Sequence, residues 1–540
     1  MGWAAAKPGI PSSIVVRIAV ACALVSLGFK ALLLGLDAFP FYGDEAVVGL
    51  MARHILAGQW PTFFYGQAYL GSTDSALVAG AFALLGDHVV VIRAVQALLY
   101  AGTVMTTVAL ASRAGLGSWG VLAAGLFMAL PVVNTTLYTT VSIGGYGEAL
   151  LLGNLILLYS VELHRDHPRP VLCLGWGVLS GLAFWTFGLT LVFSLPAILL
   201  LGARWLRGGI RGFALRGGAV LLGAMAGSAP LIVWAIRNGP ALLVQEMLGS
   251  AVAGASSPDF LRSILAHGLN LILFGPTVLI GARPPWGTDP LAFPLLPFAV
   301  AFWAVAVFYV LRNGRAALPN GTVRRLLTGV AAMVVLGFTF TPFGADPSGR
   351  YFLPLAAALA LVGGGFIAYV HRRGGWGWAA AALAVPLAFS VWGCLQTALT
   401  QPPGITPQFD PAARRDTAHD LDLLAFLRAR GETRGFTSYW ISYPLAFLSQ
   451  ESVVFIPRLP YHPDFRYTAR DDRYPPYDQL VAASPRVAYI TSGQPWLESF
   501  LREAFEAGEI AYAETLVADY HVFHDLSRRV TPADLGLIER

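Results

Sequence analysis

The feature that most constrains this chain is a series of apolar runs, each close to the length needed to cross a bilayer. Eleven are read as transmembrane spans, near 14–36, 89–111, 118–138, 146–163, 171–187, 188–203, 218–236, 290–311, 324–342, 352–370 and 376–398. A span takes about 20 residues, so 171–187 and 188–203, joined closely at Phe187-Gly188, are the shortest that qualify. Only 12% of the 540 residues are charged, against about 25% in a soluble domain. A polytopic membrane protein is expected. The first run, Ile14 to Leu36, is too long for the apolar core of a signal peptide and is read as an uncleaved span.

Charge divides the rest. From Gln401 onward there are 14 Lys+Arg and 19 Asp+Glu, a net −5, while the remaining 22 and 12 give +10. The expected organisation is therefore a mostly α membrane domain over 1–400 and a soluble α/β domain over 401–540. Lysines and arginines favour the cytoplasmic side of membrane proteins. With the N-terminus inside, clusters such as Arg204/Arg207/Arg211, Arg312/Arg315/Arg324/Arg325 and Arg372/Arg373, together with Lys7, Arg113 and Arg165, fall inside, and the tail falls outside. Ten of the membrane part's twelve acids then lie outward, the exceptions being Glu162 and Asp166. Acids contribute little to insertion, so this skew points to polar chemistry on the outer face.

The first outward loop carries most of the signal. Asp44 and Glu45 head a helical pattern in which Val47, Val48, Leu50, Met51, Ile55 and Leu56 share a broad face, and Gly58 stops it. An amphipathic helix at the membrane surface is expected, with Arg53 and His54 on its polar face toward solvent or headgroups. Locally, Asp44 and Glu45 are also good helix-start residues. A short apolar helix, Thr73 to Leu85, closes this loop. A second outward segment holds Ile264 to Ile280, read as interfacial or re-entrant because a crossing there would put the tail inside. In the tail a helix is expected over Ala412–Arg430, strands at Ser452–Pro457 and Val487–Thr491, a helix over Trp496–Ala507, and a hairpin of Ala511–Val517 with Tyr520–His524.

The three cysteines all sit in apolar runs, so neither a disulfide framework nor metal-type cysteine spacing is present. Walker-type, HExxH and GxSxG motifs are absent as well. An outward-facing membrane enzyme has no nucleotide supply on that side, and a lipid-linked donor is the natural source of a group to transfer.

The stretch FYGDEAVVGLMARHILAGQWPTFFYGQAYLGS resembles the first outer loop of bacterial GT-C glycosyltransferases, the membrane enzymes related to protein O-mannosyltransferases and the lipid A aminoarabinose transferase. IRAVQALLY, GGYGEALLLGNL and DPSGRYFLPL are similar to later pieces of that family, and FTSYWISYPLAFLSQESVVFIP to the soluble tail of one bacterial branch. The resemblance implies an inverting transferase that moves a sugar from a polyprenyl phosphate to an acceptor hydroxyl. It makes Asp44 the general base and Glu45 its neighbour and backup. Arg350, beside Tyr351, becomes a candidate phosphate clamp, since a guanidinium matches phosphate bidentately; an interfacial Arg-Tyr anchor is the alternative. Lys30, two turns below the outer end of the first span, either snorkels or meets the donor phosphate. Glu148 either complements a helix dipole or faces the cavity as a second acid. Gln67 and Tyr69 are candidates for sugar contact or loop packing, and Tyr439, Trp440 and Tyr443 for sugar stacking or tail core.

The expected partners are a polyprenyl-phosphate sugar, a lipid, glycan or protein acceptor, and membrane lipids, with no nucleic acid. No cofactor is called for; Asp44 and Glu45 alone do not make a metal site, and metal dependence stays open. The expected location is a bacterial inner membrane with the tail on the periplasmic side. A flippase or transporter for lipid-linked saccharides predicts repeats and charges near the midplane, neither of which is seen. A surface-polysaccharide polymerase or ligase and a non-catalytic sensor are the other readings.

Overall fold

The computed structural model describes residues 10–164, 168–249, 259–400, 404–408, 411–465 and 469–537. Lys7, Arg165 and Asp166 of the charge reading lie outside them.

The membrane part is a helical bundle. The first span is α1 (Ser12–Gly35). The first long loop follows as α2 (Gly43–Leu56), a hairpin of β1 (Phe63–Phe64) and β2 (Gln67–Gly71), and α3 (Thr73–Leu85). Next come α4 (Val89–Arg113), α5 (Ser118–Ala129) and α6 (Val133–Tyr138). The run expected as one span over 118–138 is thus two helices. Pro131 lies between them, where its ring and missing N–H stop an α-helix. α7 (Tyr146–Leu163), α8 (Pro170–Thr186) and α9 (Leu191–Arg207) follow, with Phe187 extended between the last two. The expected span over 218–236 is a pair, α10 (Ile210–Gly227) and α11 (Ala229–Asn238), bent by 70°.

After α12 (Pro240–Gly249), α13 (Phe260–Leu279) is long and apolar enough to cross a membrane. Its flanks, however, both touch the tail: Glu246 ahead of it pairs with Arg470, and the carbonyl of Trp286 behind it accepts from Arg414. α14 (Leu296–Arg312), α15 (Gly321–Phe340) and α16 (Ala356–Leu399) complete the bundle, the last broken at Gly375 (φ 80°), where the expected spans over 352–370 and 376–398 meet. Among the described residues seven helices pass a length-and-composition test for crossing, or eight with the bent pair. The shorter α5, α8 and α14 account for much of the difference from eleven.

At the end away from the tail, Arg113 pairs with Glu162, its carbonyl accepts from Asn320, and Arg325 reaches His164. Arg113 and Arg325 of the basic set therefore lie together at that end.

The tail is a five-stranded mixed sheet in the order β4-β3-β5-β7-β6. β3 (Arg434–Thr437) runs parallel to β4 (Val454–Pro457) and β5 (Ala488–Ser492); β6 (Ala513–Val517) and β7 (Tyr520–His524) form the expected antiparallel hairpin. α17 (Asp420–Arg430) and α18 (Tyr439–Leu448) pack Leu424, Leu427, Ile441 and Leu445 with Phe455 and Ile490 of the sheet. α19 (Pro476–Ala482) and α20 (Pro495–Ala507) follow, and Phe505 of α20 meets Tyr489 and Phe523. The helix expected from Ala412 begins only at Asp420; Pro411–Ala413 is a 3₁₀ turn.

The polar face of α2 is not exposed, contrary to expectation. Arg53 donates to Asp87 (2.7 Å) and to the carbonyl of Phe447 (2.8 Å), and lies 4.0 Å from the Phe447 ring. His54 bonds Tyr65 (2.8 Å) and Glu451 (3.1 Å) and stacks on Tyr474. The tail covers this face, so the polar groups of α2 are partnered by protein.

Candidate functional site

Asp44 lies in the first turn of α2, after the extended Tyr42, and opens onto a cavity of about 470 Å³. Gly43 beside it lets the tail come close: a Cβ there would lie 2.9 Å from the Tyr439 ring. The Tyr439 hydroxyl donates to Asp44 Oδ1 at 2.5 Å. Burial, then the charge of Asp44, pushes the Tyr439 phenol well above its ordinary value, so it remains a donor.

The hairpin of the first loop supplies a second wall. Gly66 turns it with φ +69°, a conformation that a side chain at this position would strain. Gln67 and Tyr69 of β2 then face the cavity. With its amide oriented to satisfy both ends, Gln67 donates to the Tyr69 hydroxyl (3.1 Å) and accepts from both terminal nitrogens of Arg473 (2.8 and 2.9 Å). Arg473 comes from the tail and is buried. Burial works against its charge, but Tyr439, Asp44 and Tyr69 around it outweigh that and hold the guanidinium charged.

The third wall begins after the left-handed Gly349. Arg350 pairs with Asp346 (2.5 Å) and lies 5.2 Å from the ring of Tyr351. Among the described residues its Nε is buried without a hydrogen-bond partner. Such a group is costly unless something else binds it. Tyr351 and Tyr146 line the cavity beside it. Away from these polar groups the wall turns apolar, with Leu189, Val192, Leu195, Met333, Val334 and Phe338. One cavity thus joins a carboxylate, a guanidinium and a greasy groove.

The other expected residues lie elsewhere. Glu45 points away from the cavity and is held by Arg93 through two hydrogen bonds of 3.0 Å. Lys30 is buried and donates to the carbonyl and hydroxyl of Thr139 (2.7 and 2.9 Å) and the hydroxyl of Thr140 (2.7 Å), so it satisfies the open C-terminal end of α6. Glu148 is buried behind the cavity, where Gln96 donates to it (3.3 Å) and to Asp74 (2.9 Å), with Ser142 also donating to Asp74. Burial raises the Asp74 carboxyl to about 6. Tyr443 is core: its hydroxyl accepts from the Arg473 N–H (2.5 Å). Trp440 packs edge-on against Tyr42. Among the described residues one trio has metal-ligand spacing, Glu432, His524 and Asp525, far along the tail sheet, and Arg486 already pairs with both acids.

No protein-family model and no curated protein matches the chain. Solved structures do. The crystal structure of ArnT from Cupriavidus metallidurans bound to undecaprenyl phosphate superposes with a TM-score of 0.59 over 96% of this chain and 99% of ArnT, at 13% identity. The oligosaccharyltransferase of Archaeoglobus fulgidus in its apo form gives 0.51 over 92% and 71%, at 12% identity. Both are GT-C proteins. This chain has the GT-C fold. The expected GT-C fold is thus present, and the first long loop, with the hairpin no sequence pattern announces, forms two walls of the cavity. Arg473 escapes a reading of the sequence because nothing near it in the polar tail separates it from an ordinary surface arginine.

Proposed function

We propose that the protein is an inverting glycosyltransferase that moves a sugar from a polyprenyl phosphate to an acceptor hydroxyl. The carrying observation is the single cavity in which Asp44, Arg350 and an apolar groove meet. Asp44 takes the proton of the acceptor hydroxyl. The freed oxygen attacks the anomeric carbon, the bond from that carbon to the phosphate oxygen breaks, and polyprenyl phosphate leaves with the electron pair. Arg350 binds that phosphate with the donors its pairing to Asp346 leaves open, and stabilises the charge that develops there. Tyr351 and Tyr146 flank the phosphate, Gln67 and Tyr69 face the sugar, and the apolar groove takes the first isoprene units. ArnT, one structural neighbour, was crystallised bound to undecaprenyl phosphate. The basic face opposite the tail supports a bacterial plasma-membrane orientation with the N-terminus in the cytoplasm and the tail outside. Lipid, glycan and protein acceptors all supply the hydroxyl this chemistry needs, and the chemistry calls for no cofactor.

A positioned base contributes about 10²–10⁴ in rate. In vesicles supplied with polyprenyl-phosphate sugar, Asp44→Asn is expected to lose transfer by at least that lower factor while the protein stays folded. Wild-type transfer by the folded variant would sink the assignment.

A further inference from the structure

We propose that Tyr439 of the tail is a positioning residue for Asp44, with Arg473 bracing it, so that the active site is complete only when the tail is seated on the first loop. This rests on reading Asp44 as the base. A carboxylate has two oxygens to offer. Tyr439 occupies Oδ1 from the tail side, while Asp44 itself, and not Tyr439, lines the cavity. The second oxygen is thereby the one presented to an acceptor hydroxyl, and the tyrosine acts through the base.

The surroundings of Tyr439 argue against sugar stacking. Its ring lies 4.8 Å from Trp440 and 5.4 Å from Tyr443, Gly43 abuts its edge, and the Arg473 guanidinium is 5.2 Å from its centroid. These neighbours leave a sugar ring no open face, and the hydroxyl is the working end. Arg473 is held on three sides. Its two terminal nitrogens fork onto Gln67, its side chain presses on Gly66, and its backbone N–H is bound by Tyr443. It therefore sets the hairpin and α18 against each other and brings a positive charge to the buried side of Asp44. Titratable and charged groups beside Asp44 include Tyr439 and Arg473 from the tail, Tyr69 from the hairpin and Tyr138 from α6; Glu45, next in sequence, is paired with Arg93.

The test uses the full-length protein in nanodiscs, with polyprenyl-phosphate sugars extracted from the host as donor, a host membrane extract as acceptor, and release of polyprenyl phosphate as readout. An interaction that orients the base acts on the chemical step and not on donor binding. Tyr439→Phe is therefore expected to lower kcat roughly tenfold with an unchanged apparent KM for donor. Arg473→Lys, which keeps charge and loses the fork, is expected to retain more rate than Arg473→Ala. A wild-type kcat in folded Tyr439→Phe overturns the proposal, as does a loss of rate that only tracks the loss of folded protein, which marks a merely structural tyrosine. Lysine no better than alanine removes Arg473 from it. If Asp44→Asn is inactive while Tyr439→Phe is wild-type, the reading of Asp44 stands and this inference falls. If the wild type releases no polyprenyl phosphate, both fall.

Discussion

Glu45 sits next to the proposed base, yet its surroundings assign it different work, and a double-mutant cycle with Arg93 separates the two roles. The pair is deeply buried, with side-chain exposures of 2% for Glu45 and 9% for Arg93, and is joined by two 3.0 Å hydrogen bonds. Glu45→Gln leaves the arginine charged with no anion bonded to it; the Pro40 carbonyl, at 3.4 Å, still accepts from its guanidinium. Breaking a buried pair from one side costs about 3–5 kcal/mol, while replacing both partners by apolar groups of similar volume is often close to neutral. Glu45→Gln and Arg93→Met alone are each expected to lower stability by about that amount, and Glu45→Met with Arg93→Met to recover most of it. The assay is denaturant unfolding in a defined lipid–detergent mixture, alongside sugar transfer normalised to folded protein. Transfer per folded molecule is expected to stay within about tenfold in the double variant, against the 10²–10⁴ of a lost base. A Glu45→Gln protein of wild-type stability with no transfer would refute this reasoning and return Glu45 to the chemistry.

Lys30 already commits its donors to Thr139 and Thr140. Lys30→Met is expected to cost stability, of the order of 1–3 kcal/mol for the carbonyl left bare, and to leave the apparent KM for donor within about twofold; a tenfold rise would show that it meets the phosphate. Burial pushes the Glu451 carboxyl up, but the bonds to His54 and Tyr477, with Arg53 nearby, outweigh it and hold it below its ordinary 4.5. A folded value below the unfolded one means that the contribution is full above about pH 4.5 and is lost as pH falls through the folded value. Protease sensitivity of the tail is expected to rise below pH 4.5 in the wild type and to be raised and flatter with pH in Glu451→Gln; identical profiles would refute the contact's role.

What the sequence discloses follows from which forces act locally. α2, α3, α4, α20 and the β6–β7 hairpin are legible because each is written in its own periodicity or turn residues. The break at Pro131 is not, because hydropathy averages over a single proline. The β1–β2 hairpin has two- and five-residue strands, too short for alternation to register, and its register slips at Phe63/Phe64. For the site, Asp44 and Arg350 are visible as charges where charge is expensive. Glu45 and Lys30 carry the same signal for the opposite reason, since a buried structural ion and a functional one look alike until a partner is seen. Tyr439 is visible only as a stacking or core aromatic, and Arg473 is beyond reach, because the contacts that give them meaning come from residues about 400 positions away.

Truncation near residue 400 would follow the change in composition and remove the hydrogen bond that Tyr439 donates to Asp44. A chimera that pairs this membrane part with another protein's tail must match Tyr439 and Arg473 to the counterparts of Gly43, Gly66 and Gln67. The first long loop and the tail are thus one unit written in two distant pieces of sequence, and exchange of either alone breaks the Tyr439–Asp44 and Arg473–Gln67 contacts.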